Sequence, residues 1–309
     1  MIGTRGSAFA RVAGTATIAL ALVACSTNTS PSPSSSGLGG ASYSVLPVVV
    51  STDLAPGKNR LLFLFVDQQN RPVSAPDRTA SVAVSPGEQP SASASSVPAT
   101  FQWGNQDAKQ GYYIADVTFS QAGPWAAVFT TKAPGAAEEK IPYSFDVHDK
   151  HIGVTVGDKA PSTKTPTSAD VGGKLSEVST DSNPDPRFYQ LSEDQALAQH
   201  KPFVLLFATP AFCQSALCGP TLDRVKAVAK DYPNLTFIHV EPYVMKVVDG
   251  KLQPVLDANN QLQSNDITNA WSIPSEPWLF TVDKEGVVQG SLDVVFSDDE
   301  LRAAIDKVK

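Results

Sequence analysis

Apolar and polar residues alternate in short runs over residues 43–149, with turn residues between the runs. The clearest run is 111–119, where every second residue from Tyr113 to Phe119 is apolar. Such alternation turns one side of a strand towards a core and the other towards solvent. Further strand candidates are 45–50, 60–66, 79–84, 123–129 and 142–147. Several short strands separated by turns predict an all-β sandwich.

Residues 186–309 have a different pattern, in which apolar runs alternate with stretches of helical periodicity. The runs at 203–208 and 235–240 predict buried strands, and residues 219–230 between them predict an amphipathic helix. A helical crossover between two strands of one sheet makes those strands parallel. This part of the sequence therefore predicts a βαβ unit.

The end of the same region predicts a hairpin and a final helix. Runs at 278–282 and 287–292 predict two strands joined by a tight turn. Ser297 and Glu300 have the spacing of a capping box, which opens a helix that runs to about Val308. A short helix at 192–200 precedes the first strand, and the whole region is predicted to be an α/β domain.

The first 24 residues have the pattern of an export signal. Arg5 and Arg11 are followed by a short apolar run, which ends in small residues before Cys25. The tetrapeptide Leu-Val-Ala-Cys resembles a bacterial lipobox, and this resemblance implies lipidation of Cys25 and cleavage before it. The alternative is an ordinary secretory signal with a chance cysteine. With lipid on Cys25, the protein is expected at the extracytoplasmic face of the cell membrane.

The sequence thus predicts a multidomain chain. Residues 25–42 and 150–185 are rich in Ser, Thr and Pro and lack apolar periodicity, which is typical of linkers. The predicted segments are a signal peptide at 1–24, a flexible tether at 25–42, the sandwich at 43–149, a connector at 150–185 and the α/β domain at 186–309.

Charge and composition exclude one class of partner. The chain of 309 residues has a net charge of −7, and it has no basic cluster. Nucleic acid is therefore not expected as a partner, because its phosphates demand a positive surface. No phosphate-binding loop, serine hydrolase motif or zinc-finger spacing occurs, and we expect no cofactor and no resident metal.

Two cysteines lie at the junction between the predicted strand 203–208 and the helix that follows it. Cys213 falls in the connecting loop, and Cys218 directly precedes Gly219 and Pro220, which open the helix. The positive end of a helix favours thiolate over thiol. In an extracytoplasmic compartment the pair is expected to form a disulfide. A loop this short adds little as a structural staple, so redox chemistry is favoured over a static bridge.

The order of elements, the cysteines and the segment Ser275–Trp278 resemble the thioredoxin-like superfamily, in particular extracytoplasmic thioredoxin-like lipoproteins. The N-terminal strands resemble immunoglobulin-like accessory domains of exported bacterial proteins. These resemblances imply an all-β immunoglobulin-like sandwich followed by an α/β thioredoxin-like fold. They also imply that Pro277 is a cis-proline facing the dithiol, and that the backbone at Glu276 pairs with an extended substrate peptide.

The sequence departs from that family in the spacing of its cysteines and in the lack of a buried acid. Four residues separate the cysteines instead of two, so we expect Cys213 to be the exposed, attacking sulfur and Cys218 the inner, resolving one. A second alignment places 218–221 on the family motif and leaves Thr221 in the resolving position. The strand segment 204–207 also lacks the buried acid of that family. Glu276 beside the site would raise the thiolate pKa and make the disulfide a weaker oxidant.

Two other activities are possible on the same arrangement. Some peroxiredoxins have this cysteine spacing, but Pro210 stands where their motif has Thr or Ser, and no Arg lies near 276 in the sequence. A Cu(I)-delivery protein would need a histidine beside the thiols, and the positions of His200 and His239 do not match that pattern.

The sequence therefore predicts a membrane-anchored, extracytoplasmic thiol–disulfide oxidoreductase that acts through Cys213 and Cys218. Its partners are expected to be protein or small-molecule thiols and disulfides. The alternative from another class is a binding or scaffold lipoprotein with a structural disulfide.

Overall fold

The computed structural model describes residues 42–309, and Ser42–Lys309 form one compact unit. The predicted signal peptide, Cys25 and nearly all of the predicted tether lie outside the described residues. In the part of the chain that is described, no helix has the length and apolar character needed to cross a membrane.

Eight strands build two four-stranded antiparallel sheets in the N-terminal part of this unit. One sheet has the order β1-β2-β6-β5 and the other β4-β3-β7-β8. The strands are β1 (Val45–Val49), β2 (Gly57–Asp67), β3 (Thr79–Pro86), β4 (Ser96–Pro98), β5 (Thr100–Asn105), β6 (Gln110–Phe119), β7 (Gly123–Lys132) and β8 (Glu139–Val147).

Aromatic side chains join these two sheets into one core. Phe63 of β2 stacks on Tyr113 of β6, and its ring centroid lies 4.7 Å from that of Phe129 on β7 in the other sheet. The alternation along β6 turns Tyr113, Ala115, Val117 and Phe119 inwards, as the sequence predicted. The all-β character of this region is therefore confirmed, although β4 and β5 were missed.

The second half of the unit contains a four-stranded mixed sheet, a two-stranded hairpin and four short α-helices. The mixed sheet has the order β10-β9-β13-β14, and β11 pairs with β12. The elements are α1 (Glu193–Ala198), β9 (Phe203–Phe207), α2 (Cys218–Ala229), β10 (Thr236–Val240), β11 (Met245–Val248), β12 (Lys251–Pro254), α3 (Asp266–Trp271), β13 (Trp278–Val282), β14 (Val288–Asp293) and α4 (Asp298–Ile305).

Pairing within the mixed sheet follows the sequence pattern. β9 and β10 are parallel, and the pairs β9–β13 and β13–β14 are antiparallel. All five residues of β9 and all five of β13 are buried, which explains why these strands are continuous apolar runs. The capping box at Ser297 is present, with the Ser297 hydroxyl accepting from the Glu300 N–H at 3.1 Å.

The thioredoxin-like α/β fold predicted for residues 186–309 is not supported. Strand makes up 37% of the structure and helix 16%, in four small sheets, so the chain as a whole is mostly β. The longest helix within residues 42–309, α2, has 12 residues. A single parallel crossover followed by an antiparallel pair occurs in many unrelated folds, so the order of elements alone could not establish this one.

Arg60 of β2 connects the N-terminal sheets to the mixed sheet. Its Nε lies 2.6 Å from Glu300 Oε1 and its Nη1 lies 3.2 Å from Asp293 Oδ1. Its Nη2 also donates to the carbonyl oxygen of Val295. This one guanidinium therefore joins β2 to the end of β14 and the start of α4.

Candidate functional site

The two cysteines lie at the carboxyl end of β9, where the chain crosses to α2. β9 ends at Phe207, a loop carries Cys213, and α2 begins at Cys218 with Leu217 as its N-cap. The first turn of a helix has free backbone N–H groups and a partial positive charge. The sequence had predicted that both cysteines lie at this junction between a strand and a helix.

Cys213 is partly exposed, and its sulfur accepts several hydrogen bonds. The backbone N–H of Cys218 lies 3.3 Å from Cys213 Sγ, and Ser215 Oγ lies 3.2 Å from it. The hydrogen bond from the Cys218 side chain, aided by that of Ser215 and by the N–H groups at the start of α2, lowers the pKa of Cys213 to about 5. Cys213 is therefore a thiolate at neutral pH.

Cys218 has the opposite environment. Its side chain is fully buried against the core beneath α2. Burial, together with the hydrogen bond to Cys213 and the charge on that sulfur, raises the pKa of Cys218 far above its usual range. One partly exposed thiolate therefore faces one buried thiol.

Glu276 is the third ionisable group at this place. One of its carboxylate oxygens and the two sulfurs all lie within 4.8 Å of one another. Burial raises the pKa of Glu276, and the Tyr243 hydroxyl donates to its Oε2 at 2.6 Å. The Glu276–Pro277 peptide bond is cis, as the resemblance had implied.

A shallow pocket of about 310 Å³ opens next to Cys213. Gln214 and Ser215 line one part of it, and Tyr243 and Glu276 line another. A larger pocket of about 420 Å³ lies beyond Tyr243, beside the hairpin β11–β12. Neither pocket has a cysteine in its lining, but the smaller one lies beside Cys213, because Gln214 and Ser215 follow that residue directly in the chain.

The two sulfurs and Glu276 could also act as metal ligands, since each offers one donor atom within 4.8 Å of the others. His239 is not available to join them. It is buried, with Nδ1 2.7 Å from the Tyr189 hydroxyl and Nε2 2.9 Å from the Ala208 carbonyl oxygen. A copper site made of two thiolates and this histidine therefore does not fit the described residues.

The structure brings Cys213, Cys218, Glu276 and Pro277 to one place, while Cys25 lies outside the described residues. Sequence reasoning missed Tyr243 and Ser215. Tyr243 lies 33 residues before Glu276, and only tertiary structure brings the two together. Ser215 carried a weak signal, because a hydroxyl two residues after a reactive cysteine can reach its sulfur.

No protein-family model matches the chain, and no curated protein matches it. Among solved structures, it is similar to a DUF4426 family protein from Pseudomonas aeruginosa, at 14% identity over 34% of this chain and 90% of that one, with a TM-score of 0.23. It is also similar to MtrC from Shewanella baltica, at 12% identity over 48% of this chain and 28% of that one, with a TM-score of 0.21.

The resemblance to thioredoxin-like lipoproteins with an immunoglobulin-like accessory domain is therefore wrong as an assignment of family. The mostly β structure, with 37% strand and 16% helix, disagrees with it. The motifs behind the resemblance are short, and they describe a local strand–loop–helix junction that unrelated folds share. The chemistry of the site accordingly has to be argued from its own atoms.

Proposed function

We propose that this protein carries out thiol–disulfide exchange through Cys213 and Cys218. The observation that carries the proposal is the contrast between the two sulfurs. Cys213 is accessible, and its pKa is lowered to about 5, whereas Cys218 is buried and its pKa is raised. Thiol–disulfide exchange needs one thiolate that attacks the substrate. It also needs a second thiol that stays protonated and unreactive until the mixed disulfide forms.

In the reductive direction, the Cys213 thiolate attacks one sulfur of a substrate disulfide. A bond forms between that sulfur and Cys213 Sγ, and the other substrate sulfur leaves as a thiolate. Cys218 then loses its proton and attacks Cys213 Sγ, which releases the first substrate sulfur. The substrate gains two electrons, and the protein pair loses two and becomes a disulfide. The reverse sequence oxidises a substrate dithiol.

Glu276 is placed to manage the proton in the second step. Its carboxylate lies within 4.8 Å of both sulfurs, and burial raises its pKa. A base in this position accepts the Cys218 proton as the thiol becomes a nucleophile. The Tyr243 hydroxyl holds the carboxylate through Oε2, and the second carboxylate oxygen remains for the proton.

Trapping of the mixed disulfide tests the proposal. In a chain with Cys25→Ser, the further change Cys218→Ser should accumulate a covalent adduct with a disulfide-bonded peptide or protein substrate. The matched change Cys213→Ser should form none, since the remaining thiol is buried. Equal adduct formation by both variants, or none with a panel of disulfides, would reject the assignment.

The reduction potential separates exchange from a static bridge. A value above about −230 mV is typical of an exchanging pair, and one below about −300 mV is typical of a structural disulfide. The second result would support the alternative, in which the protein is a binding or scaffold lipoprotein.

We also propose that the protein works on the extracytoplasmic side of a membrane, anchored through lipid on Cys25. The support is the sequence at Cys25 and the basic, then apolar, segment before it. Detergent-phase partitioning of wild type and Cys25→Ala, with protease access to intact cells as the second measurement, tests the anchor and the side. Recovery of both forms in the soluble fraction would refute it.

A further inference from the structure

The loop between the two cysteines, residues 214–217, is held from outside by the N-terminal sheets. Asn105, at the end of β5, donates from Nδ2 to the Ala216 carbonyl oxygen at 3.1 Å. Ala216 has a φ of 56°, in the left-handed region that residues with a Cβ rarely adopt. The Asn105 side chain therefore supports a backbone turn that the loop does not favour by itself.

Leu217 is the second point of attachment. It is fully buried in a cluster with Leu62 and Tyr112 from the first sheet and with Val294 and Val295 that follow β14. A Cβ added at Gly104 would lie 2.8 Å from Leu217 Cδ2 and 2.7 Å from Tyr112 Cε2. Glycine at 104 is thus what allows Leu217 to approach β5 so closely.

These two attachments hold the start of α2, whose backbone N–H groups stabilise the Cys213 thiolate. Leu217 is the N-cap of α2, and the N–H of the next residue, Cys218, donates to Cys213 Sγ at 3.3 Å. The Leu217 N–H also contributes to the lowered pKa of Cys213. Fixing residues 216 and 217 against β5 and β6 therefore fixes the direction of these donors. Burial, and then the charge on Cys213, raise the pKa of Tyr112 in β6, so this residue of the N-terminal sheets is electrostatically coupled to the sulfur.

We infer that Asn105 and Gly104 are positioning residues for the Cys213 thiolate, so that the N-terminal sheets form part of the redox site. This inference rests on the proposed exchange function and gives those sheets a role in it. Neither residue lines the pocket beside Cys213. They hold residues 216 and 217 so that the start of α2 presents its N–H groups to the sulfur.

The test is the pH dependence of iodoacetamide alkylation at Cys213, read by mass spectrometry on the reduced full chain with Cys25→Ser. Wild type should show a midpoint at about pH 5. Asn105→Ala should raise this midpoint by at least about half a unit, because the donors lose their fixed direction. Gly104→Ala should shift it in the same direction, by pushing Leu217 away. The rate at pH 9 should stay unchanged in both.

The matched control is Gln102→Ala on the same strand, whose side chain bonds the neighbouring Trp103 carbonyl oxygen. It should leave the midpoint unchanged. If Asn105 or Gly104 had only a structural role, its replacement would lower the melting temperature without moving the midpoint of the alkylation profile. A midpoint shift of less than about half a pH unit in a folded variant therefore overturns the inference. If one of the two variants, Asn105→Ala or Gly104→Ala, fails to fold, the other is enough to test the inference. Alkylation needs no substrate, so the two proposals can fail separately. If the midpoints of the variants shift as expected but the wild type exchanges no disulfide, only the proposed function is refuted.

Discussion

The backbone N–H of Cys218 lies 3.3 Å from Cys213 Sγ and donates a hydrogen bond to it. One cysteine thus stabilises the thiolate of the other, while its own thiol stays buried and protonated. The short sequence separation makes this possible, because five positions carry the chain from the open loop into the first turn of α2. The asymmetry between the two sulfurs follows from this geometry.

The first prediction concerns selective alkylation. In the reduced chain with Cys25→Ser, iodoacetamide at pH 7 should modify Cys213 and leave Cys218 unmodified until the protein unfolds. The reason is that Cys213 has a pKa of about 5 and is accessible, whereas Cys218 is buried with a raised pKa. Peptide mapping after alkylation measures this. Equal labelling of both cysteines in the folded protein would contradict the assigned roles.

The second prediction concerns the charge on Glu276. Glu276→Gln removes a negative charge within 4.8 Å of both sulfurs, which favours the thiolate forms and hence the reduced pair. The reduction potential at pH 8 should become more positive by on the order of 10–30 mV. Equilibration in glutathione buffers followed by thiol counting measures the shift.

Glu285→Gln provides the control for this charge effect. Glu285 lies in the exposed turn between β13 and β14, at the far end of β13 from Glu276. Its removal changes the net charge equally but should leave the potential unchanged. A shift of the same size in both variants would mean that total charge, and not the position of Glu276, controls the pair.

The sequence predicted the parts of the site that are set by neighbours along the chain. Cys213 and Cys218 were found because a strand, a loop and a helix start follow one another directly. Asn105 was not found, since it lies 111 residues from Ala216 and nothing local links them. Leu217 looked like an ordinary loop residue, and only its packing against β6 shows why it is apolar.

The missed hairpin β11–β12 had a signal that sequence reasoning overlooked. Asp249 and Gly250 separate the two strands, and both have positive φ, at 52° and 73°. Asp-Gly between two segments of strand character is a strong hairpin pattern. The wrong family assignment has a different origin, since the order of strands and helices predicted locally is compatible with several folds. Pairing over long distances decides among these folds, and the pattern does not encode it.

The third prediction concerns the link made by Arg60. Arg60→Ala leaves Asp293 and Glu300 without their cation and the Val295 carbonyl oxygen without its donor. Removing one partner of a largely buried ion pair costs about 3 kcal/mol, because the remaining charge is uncompensated. Urea unfolding at pH 7 measures the loss.

Arg71→Ala is the matched control. Arg71 pairs with Asp67 at 2.6 Å, but its side chain is 71% exposed. Surface pairs of this kind contribute about 0–1 kcal/mol, so this variant should lose little stability. Similar losses in both variants would show that Arg60 does not have a special role in joining β2 to α4.

The last prediction concerns Glu193, a fully buried acid at the start of α1. The Thr163 hydroxyl and Trp271 Nε1 both donate to its Oε2, and no cation pairs with it among the described residues. Burial raises its pKa from 4.5 to about 8. Between these two values the folded protein holds a proton that the unfolded chain has released, so this group makes the protein less stable as the pH rises.

Glu193→Gln removes that titration but keeps the shape and an acceptor for both donors. The variant should match wild type at about pH 4.5 and exceed its free energy of unfolding by on the order of a few kcal/mol at pH 8. Every other titrating group is common to both proteins, so the difference between their urea unfolding curves isolates this one. A difference that stays constant from pH 4.5 to 8 would mean that Glu193 is ionised in the folded protein, which would require a compensating positive charge. Both donors bond Oε2, so such a charge would have to lie beside Oε1, which is buried and has no hydrogen-bond partner among the described residues.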